Sequence, residues 1–85
     1  MYTIRFDKPA EKFIENADKI LAKRLLDKIE ELKTNPFPRE AEKVKGYKNN
    51  VYRVRVGKYR ILYVVFIKES LIAVTEIDKR GRIYE

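Results

Sequence analysis

Val51-Tyr52-Arg53-Val54-Arg55-Val56-Gly57-Lys58-Tyr59-Arg60-Ile61-Leu62-Tyr63 is the stretch on which the reading of the fold turns. On either side of Gly57-Lys58, apolar or aromatic residues alternate with basic ones, the period of a strand with one buried face. Glycine in the first of two turn positions suits a type II′ hairpin. Two strands, Val51–Val56 and one running from Tyr59 to Ile67, therefore pair antiparallel in a register set by the turn. Val56 faces Tyr59, Arg55 faces Arg60, Val54 faces Ile61 and Arg53 faces Leu62. Tyr52, Val54, Val56, Tyr59, Ile61 and Tyr63 share one face, assigned to the core, and Arg53, Arg55 and Arg60 share the other.

Downstream, Leu71–Lys79 reads as a third strand. If Lys68-Glu69-Ser70 is a three-residue loop, Glu76 and Asp78 join the arginine face and Arg80 arrives close to Arg60. Upstream, Tyr2–Phe6 alternates as a short strand. Asp7 offers an N-cap and Pro9 fits the first turn of a helix, where its missing N–H costs little. Phe13, Ile14 and Ala17 give that helix its apolar face, and Asn16-Ala17-Asp18 breaks it. Asp18 can cap a second helix, whose Leu21, Leu25, Ile29 and Leu32 form one stripe. Asn35 suits a left-handed C-terminal position, and Pro36 and Pro38 forbid continuation. Residues 36–50 read as a loop. The expectation is one α+β domain over residues 1–85 in the order β-α-α-β-β-β, an antiparallel sheet with a helical hairpin packed on one face. The place of the first strand, edge or interior, stays open.

Composition narrows the chemistry. The 85 residues include no Cys and no His, and Ser70 is the only serine. A disulfide framework, a thiolate or imidazole metal site, and a Ser-His-Asp triad are excluded. The 45% hydrophobic fraction is enough for a core. The longest apolar run, Ile61–Ile67, is far short of the roughly 20 residues that span a bilayer, and Met1–Arg5 does not read as a signal peptide. A soluble, cytoplasmic protein is expected.

The net charge of +7 is segregated. Residues 1–42 and 61–85 are each balanced, so the excess lies in Lys43, Lys45, Lys48, Arg53, Arg55, Lys58 and Arg60. Such a field attracts phosphate backbones, anionic membranes or acidic proteins. No amphipathic helix carries the block, which argues against a membrane. The plain alternative is a solubilising surface. Two arginines directly opposite each other repel, and a local rule broken without structural gain points to function. Glu76 and Asp78 offer two other readings: neutralising partners in a surface network, or a two-carboxylate metal site. Amid four arginines the salt-bridge reading is preferred, and neither metal nor cofactor is expected.

The Tyr-Arg-x-Arg-x-Gly-x-Tyr-Arg core at residues 52–60, followed by Lys79-Arg80-Gly81-Arg82-Ile83-Tyr84, resembles the RelE/ParE toxin superfamily and leans toward its RelE branch. Lys45-Gly46 and the element order agree, so the resemblance covers essentially the whole chain. It implies a toxin of a type II toxin–antitoxin pair that cuts messenger RNA on the ribosome without metal, and a cognate acidic antitoxin, RelB-like, as partner. By the same resemblance Arg53 and Arg55 flank the substrate backbone and Arg60 holds the scissile phosphate. Arg80 lies near the leaving group, and Tyr84 stacks on a base or takes the 2′-hydroxyl proton. Lys43, Lys45, Lys48, Lys58, Lys79 and Arg82 would bind RNA. The best-known members carry lysines where Arg53 and Arg55 stand. Arginine in effect cannot exchange a proton, so the base becomes Tyr84, with Lys58 or Lys79 as stand-ins. Tyr84 could equally anchor the chain end. Two other functions fit the sequence: a ParE-like inhibitor of DNA gyrase that cuts nothing, and a non-catalytic RNA-binding module using Tyr47, Tyr52 and Tyr59 as a clamp.

Overall fold

Residues 1–48 and 50–79 are described by the computed structural model. They form β1 (Thr3–Phe6), α1 (Lys8–Asn16), α2 (Lys19–Leu32), β2 (Glu42–Lys43), β3 (Val51–Val56), β4 (Tyr59–Phe66) and β5 (Leu71–Lys79). The strands make one sheet in the order β1-β5-β4-β3-β2. The β3–β4 and β4–β5 pairings are antiparallel, as expected, and β2 pairs antiparallel with β3. The first strand takes an edge and runs parallel to β5, with Ile4 opposite Ile72 and Phe6 opposite Val74, so the sheet is mixed. Parallel pairing needs a long connection between the partners, and everything from Asp7 to Ser70 intervenes here. A further difference is β2, a two-residue strand within the segment read as loop.

Both helix starts form where the sequence places them. Asp18 accepts a 2.8 Å hydrogen bond from the Leu21 N–H, a side-chain cap for α2. Asp7 occupies the N-cap position of α1 without capping through its side chain. Its carboxylate turns back to Arg5 (3.4 Å), while its N–H donates to the Val74 carbonyl (2.9 Å) and ties α1 to the sheet. The end of α2 corrects the expectation for Asn35. Among the described residues the one non-glycine with positive φ is Ser70. The last carbonyls of α2 instead receive the N–H groups of Lys33, Thr34 and Asn35 in a tightened turn, one of the standard ways to satisfy a helix end. Asn35 then accepts from the Phe37 N–H at 3.3 Å.

The core lies between the helices and one side of the sheet. Leu25, Ile29 and Leu32 of α2 pack with Ala10, Val54, Ile61, Tyr63, Ile72, Val74 and Ile77. At the bottom of this layer the Tyr63 hydroxyl donates to the Pro36 carbonyl (2.8 Å). Burial pushes the Tyr63 phenol well above its ordinary range, with electrostatic contributions from neighbouring Tyr52 and Glu40 in the same direction. Tyr52 stacks on Tyr63, and Phe37 meets Tyr52 edge-on. Lys28 bridges Glu40 (3.0 Å) and Glu31 (3.2 Å), pinning the loop to α2.

Two local features set which side chains face away from the helices. Gly57 has φ +59° while Lys58 does not have positive φ, as a type II′ turn requires and a type I′ turn does not. The hairpin register matches the expectation at every stated pair. The β4–β5 turn spans Ile67 to Ser70, one residue longer than expected. That extra residue puts Tyr63 opposite Val74, a register that, continued, would carry Thr75 and Ile77 to the arginine side. A bulge restores the phase: Leu62 pairs with Glu76, leaving Thr75 over, its hydroxyl donating to the Leu62 carbonyl at 3.3 Å. Glu76 and Asp78 therefore reach the arginine side after all, and Ile77 is buried among the core residues.

Candidate nucleic-acid interface

The site follows from β-sheet alternation. Val54, Val56, Ile61 and Tyr63 turn toward the helices, which sends Arg53, Arg55, Arg60 and their ladder partners to the opposite side. Two rows result. One reads Asp78–Arg60–Arg55 across β5, β4 and β3; the other reads Glu76–Leu62–Arg53–Glu42 and reaches β2. The flanking strands β5 and β2 thus bring carboxylates to the arginines of β4 and β3. Arg53 Nε meets Glu42 Oε1 at 3.0 Å. Arg60 Nε meets Asp78 Oδ1 at 3.5 Å, longer than the roughly 2.7–2.9 Å of a strong charge-assisted bond.

The three arginines differ in environment. Arg60 and Asp78 are buried, 5% and 7% exposed. Arg53 is half-buried beside Glu42, and Arg55 is exposed with no carboxylate partner among the described residues. The repulsion expected between Arg55 and Arg60 is answered by Asp78 on the far flank of Arg60. Glu76 is exposed beside them. On this side of the sheet Glu42, Glu76 and Asp78 equal Arg53, Arg55 and Arg60 in number, but among the described residues Glu76 makes no ion pair with them, and the other four cations of the block are Lys43, Lys45, Lys48 and Lys58.

The lysines expected to bind RNA do not converge with the arginines. Lys43 lies opposite Tyr52 and Lys79 opposite Tyr59, positions that alternate to the helix side. Lys58 is in the β3–β4 turn, Lys45 and Lys48 follow β2, and all five are exposed. Tyr52 and Tyr59 pack against the core, and Tyr59 meets Phe13 edge-on at 5.8 Å; of the three clamp tyrosines, Tyr47 alone is openly exposed. Arg80, Arg82 and Tyr84 lie outside the described residues. Sequence reasoning missed Glu42 as the partner of Arg53, because a segment read as loop carries no strand register. Its one signal is position: Glu42 is the last acid before the acid-free block.

A rigid sheet face with guanidinium groups side by side is suited to anionic oxygens, which arginine grips bidentately. Two helices on one face of a small mixed sheet, with that arginine face opposite, define a class: the compact toxins of toxin–antitoxin pairs. The chain belongs to the RelE/ParE superfamily within that class, since the family model described as the ParE toxin of type II toxin–antitoxin system, parDE, matches residues 4–84. A Methanocaldococcus jannaschii protein assigned as toxin RelE1 is 42% identical over 65 residues, covering 74% of this chain and 72% of that one. RelE in the archaeal RelE–RelB complex of Pyrococcus horikoshii OT3 superposes with a TM-score of 0.84 at 30% identity, over 95% of this chain and 97% of that one. The isolated E. coli RelE toxin shares the fold, with a TM-score of 0.81 at 23% identity over 99% and 92% of the two chains. The protein is a RelE-like toxin of a type II toxin–antitoxin pair. Among the described residues no helix is long and apolar enough to cross a membrane.

Proposed function

We propose that this toxin is an endoribonuclease that cuts messenger RNA on the ribosome in the cytoplasm. The observation that carries the reading is the side-by-side placement of Arg53, Arg55 and Arg60 on a rigid sheet face, each position fixed by backbone pairing. RNA brings its own nucleophile, the 2′-hydroxyl. It attacks the adjacent phosphorus, the P–O5′ bond breaks, and the 2′-proton must leave while the 5′-oxygen gains one. The protein is asked mainly to stabilise the extra negative charge of the phosphorane-like transition state, which preorganised cations do well. Arg55, exposed and without a carboxylate partner among the described residues, would meet the backbone first, with Arg53 beside it. Arg60 would take the scissile phosphate by exchanging Asp78 for it. Arg80 and Tyr84 complete the proposal, near the leaving group and at the 2′-proton. The lysines at 43, 45, 48, 58 and 79, with Arg82, would hold RNA or ribosome around this centre. No metal or other cofactor enters the proposed reaction.

The partner proposed for this chain is an acidic, RelB-like antitoxin, as in the Pyrococcus RelE–RelB complex. A chain rich in carboxylates would fold on the basic surface and lose affinity as salt rises. A second reading is a ParE-like inhibitor that binds gyrase and cuts nothing. The burial of Arg60 against Asp78 favours it, because a gyrase inhibitor does not need that guanidinium free for phosphate. Purified toxin added to translating ribosomes decides between them. Cleaved message, lost in Arg60→Ala, is the expected result; intact message with altered supercoiling by gyrase would install the second reading. If neither occurs, the chain is a non-catalytic RNA-binding module.

A further inference from the structure

Cleavage by the substrate's own ribose requires a group that accepts the 2′-proton. Arginine stays protonated in proteins, so Arg53, Arg55 and Arg60 can hold a phosphate but cannot take that proton. The chain has no His and no Cys. Lys58 and Lys79, the stand-ins for the task, lie in the β3–β4 turn and on the helix side. Tyr52, Tyr59 and Tyr63 belong to the helix-side core. A phenol at the 2′-oxygen, as proposed for Tyr84, must first shed its own proton, which an ordinary phenol does only near pH 10 or so. On the described arginine face, the groups that remain able to accept a proton are carboxylates.

Of these, Glu42 is held by Arg53 at 3.0 Å, and Asp78 is buried against Arg60. Glu76 differs from both: it is exposed and makes no ion pair among the described residues. Its place is set by the backbone. Leu62 is its ladder partner, so Arg60, two residues before Leu62, is its diagonal neighbour. Such neighbours lie roughly 7–8 Å apart, within reach of long side chains. Arg53 stands beyond Leu62 in the same row. The bulge immediately precedes Glu76: Thr75 is left over between the Tyr63–Val74 and Leu62–Glu76 pairs, its hydroxyl bonded to the Leu62 carbonyl. Bulges interrupt a ladder and recur beside active sites, where they re-aim a side chain. This one delivers a carboxylate, held by no cation among the described residues, to a face suited to phosphate.

We propose that Glu76 is the general base of the cleavage. With the scissile phosphate held by Arg55 and Arg60, the carboxylate takes the 2′-proton as the 2′-oxygen bonds to phosphorus. The P–O5′ bond breaks and the 5′-oxygen takes a proton from water. The hydroxide left behind is neutralised by the proton now on Glu76, which regenerates the carboxylate. The products are a 2′,3′-cyclic phosphate and a 5′-hydroxyl. Tyr84 keeps its place at the 2′-oxygen as a hydrogen-bonding group. The inference rests on the nuclease reading and refines it. The plain alternative is a carboxylate that only offsets arginine charge. In that role its loss would strengthen the hold on phosphate and leave cleavage as fast or faster.

The test is single-turnover cleavage of message on programmed ribosomes by wild type, Glu76→Gln and Glu76→Asp. Affinity for a fluorescent single-stranded RNA and urea midpoints are measured beside it. Glu76→Gln is expected to slow cleavage about 100-fold or more, as loss of a general base does, with RNA affinity equal or tighter. An unchanged midpoint removes folding from the question. Glu76→Asp keeps the carboxylate and should recover about tenfold or more of the lost rate. The wild-type rate should stay level between about pH 6.5 and 8.5, above the ordinary carboxylate range. Three results would each overturn the proposal: Glu76→Gln cleaving at or above the wild-type rate, no recovery in Glu76→Asp, or a wild-type rate that climbs toward about tenfold per pH unit, as a phenol or amine base gives. Wild type that leaves message intact ends the nuclease reading and this inference together. A cleaving wild type beside an unimpaired Glu76→Gln ends this inference alone.

Discussion

Replacing Asp78 with asparagine removes the carboxylate that faces buried Arg60 while keeping the size of the side chain. At the 3.5 Å separation of Nε and Oδ1, the gross attraction is about 4–5 kcal/mol for an effective dielectric of 20. Desolvation of both groups offsets much of this in the intact pair, but not once the partner is gone. Truncating one member of a buried pair typically costs about 3–5 kcal/mol, and the long contact places this pair toward or below the lower end. Asp78→Asn is expected to lose about 2–4 kcal/mol of unfolding free energy by urea titration. That is a fall in melting temperature on the order of 10–30 °C for a domain of this size. Glu76→Gln makes the same charge change on the same face at an exposed position, and should leave the midpoint where it is. Affinity moves the other way. With its competitor gone, Arg60 is more available to phosphate, and a fluorescent single-stranded RNA should bind about three- to tenfold more tightly. A stability loss below about 1 kcal/mol would refute the buried pairing; unchanged or weaker RNA binding would refute the exchange of Asp78 for phosphate.

Arg55→Ala should leave thermal stability unaltered, since the residue is exposed, and should reduce the salt slope of RNA binding by about 0.7; an unchanged slope would remove Arg55 from the phosphate path. Tyr63→Phe deletes a buried hydroxyl bonded to Pro36 and should cost about 1–2 kcal/mol at neutral pH. The same phenol has a folded pKa raised above its unfolded value. Its contribution is therefore complete below about pH 10 and lost as pH rises from there toward the folded value, at up to about 1.4 kcal/mol per pH unit. Urea midpoints at pH 9 and 11 should fall further in the wild type than in Tyr63→Phe, and equal falls would contradict the assignment. Gly57→Ala forces an L side chain onto φ +59° and displaces the Arg24 guanidinium. A loss of about 1–3 kcal/mol in urea unfolding is expected, and a neutral result would mean that the turn is not type II′.

What the sequence conveyed was whatever short-range geometry controls. A two-residue turn admits one register, so the pairing of Val56 with Tyr59 and of Arg55 with Arg60 could be written down directly, and with it the arginine face. The 3.6-residue stripe of Leu25, Ile29 and Leu32 marked α2 equally well. Features decided by distant parts were hidden. Nothing near Thr3–Phe6 specifies a parallel partner 68 residues further along the chain, and Glu42–Lys43 is strand only because β3 lies beside it. The site was legible in membership but not in environment. Alternation places Arg60 on the outer face, yet its burial and its contact with Asp78 depend on the β4–β5 register. Asn35 failed as a left-handed cap because backbone N–H groups had already reached the carbonyls it would have helped to satisfy.

The leftover Thr75 is what keeps β5 in phase with β4 beyond the Tyr63–Val74 pair. Take it into the ladder as an ordinary strand residue, and every side chain from Glu76 onward changes sides, placing Ile77 among the guanidinium groups and turning Glu76 and Asp78 toward the hydrocarbon layer. Excise it, and Val74 runs directly into Glu76 with the same partners, Tyr63 and Leu62, so both faces keep their residues. A length change among relatives at this point is therefore expected as loss or gain of the bulge alone, with no answering change in the Ile67–Ser70 turn.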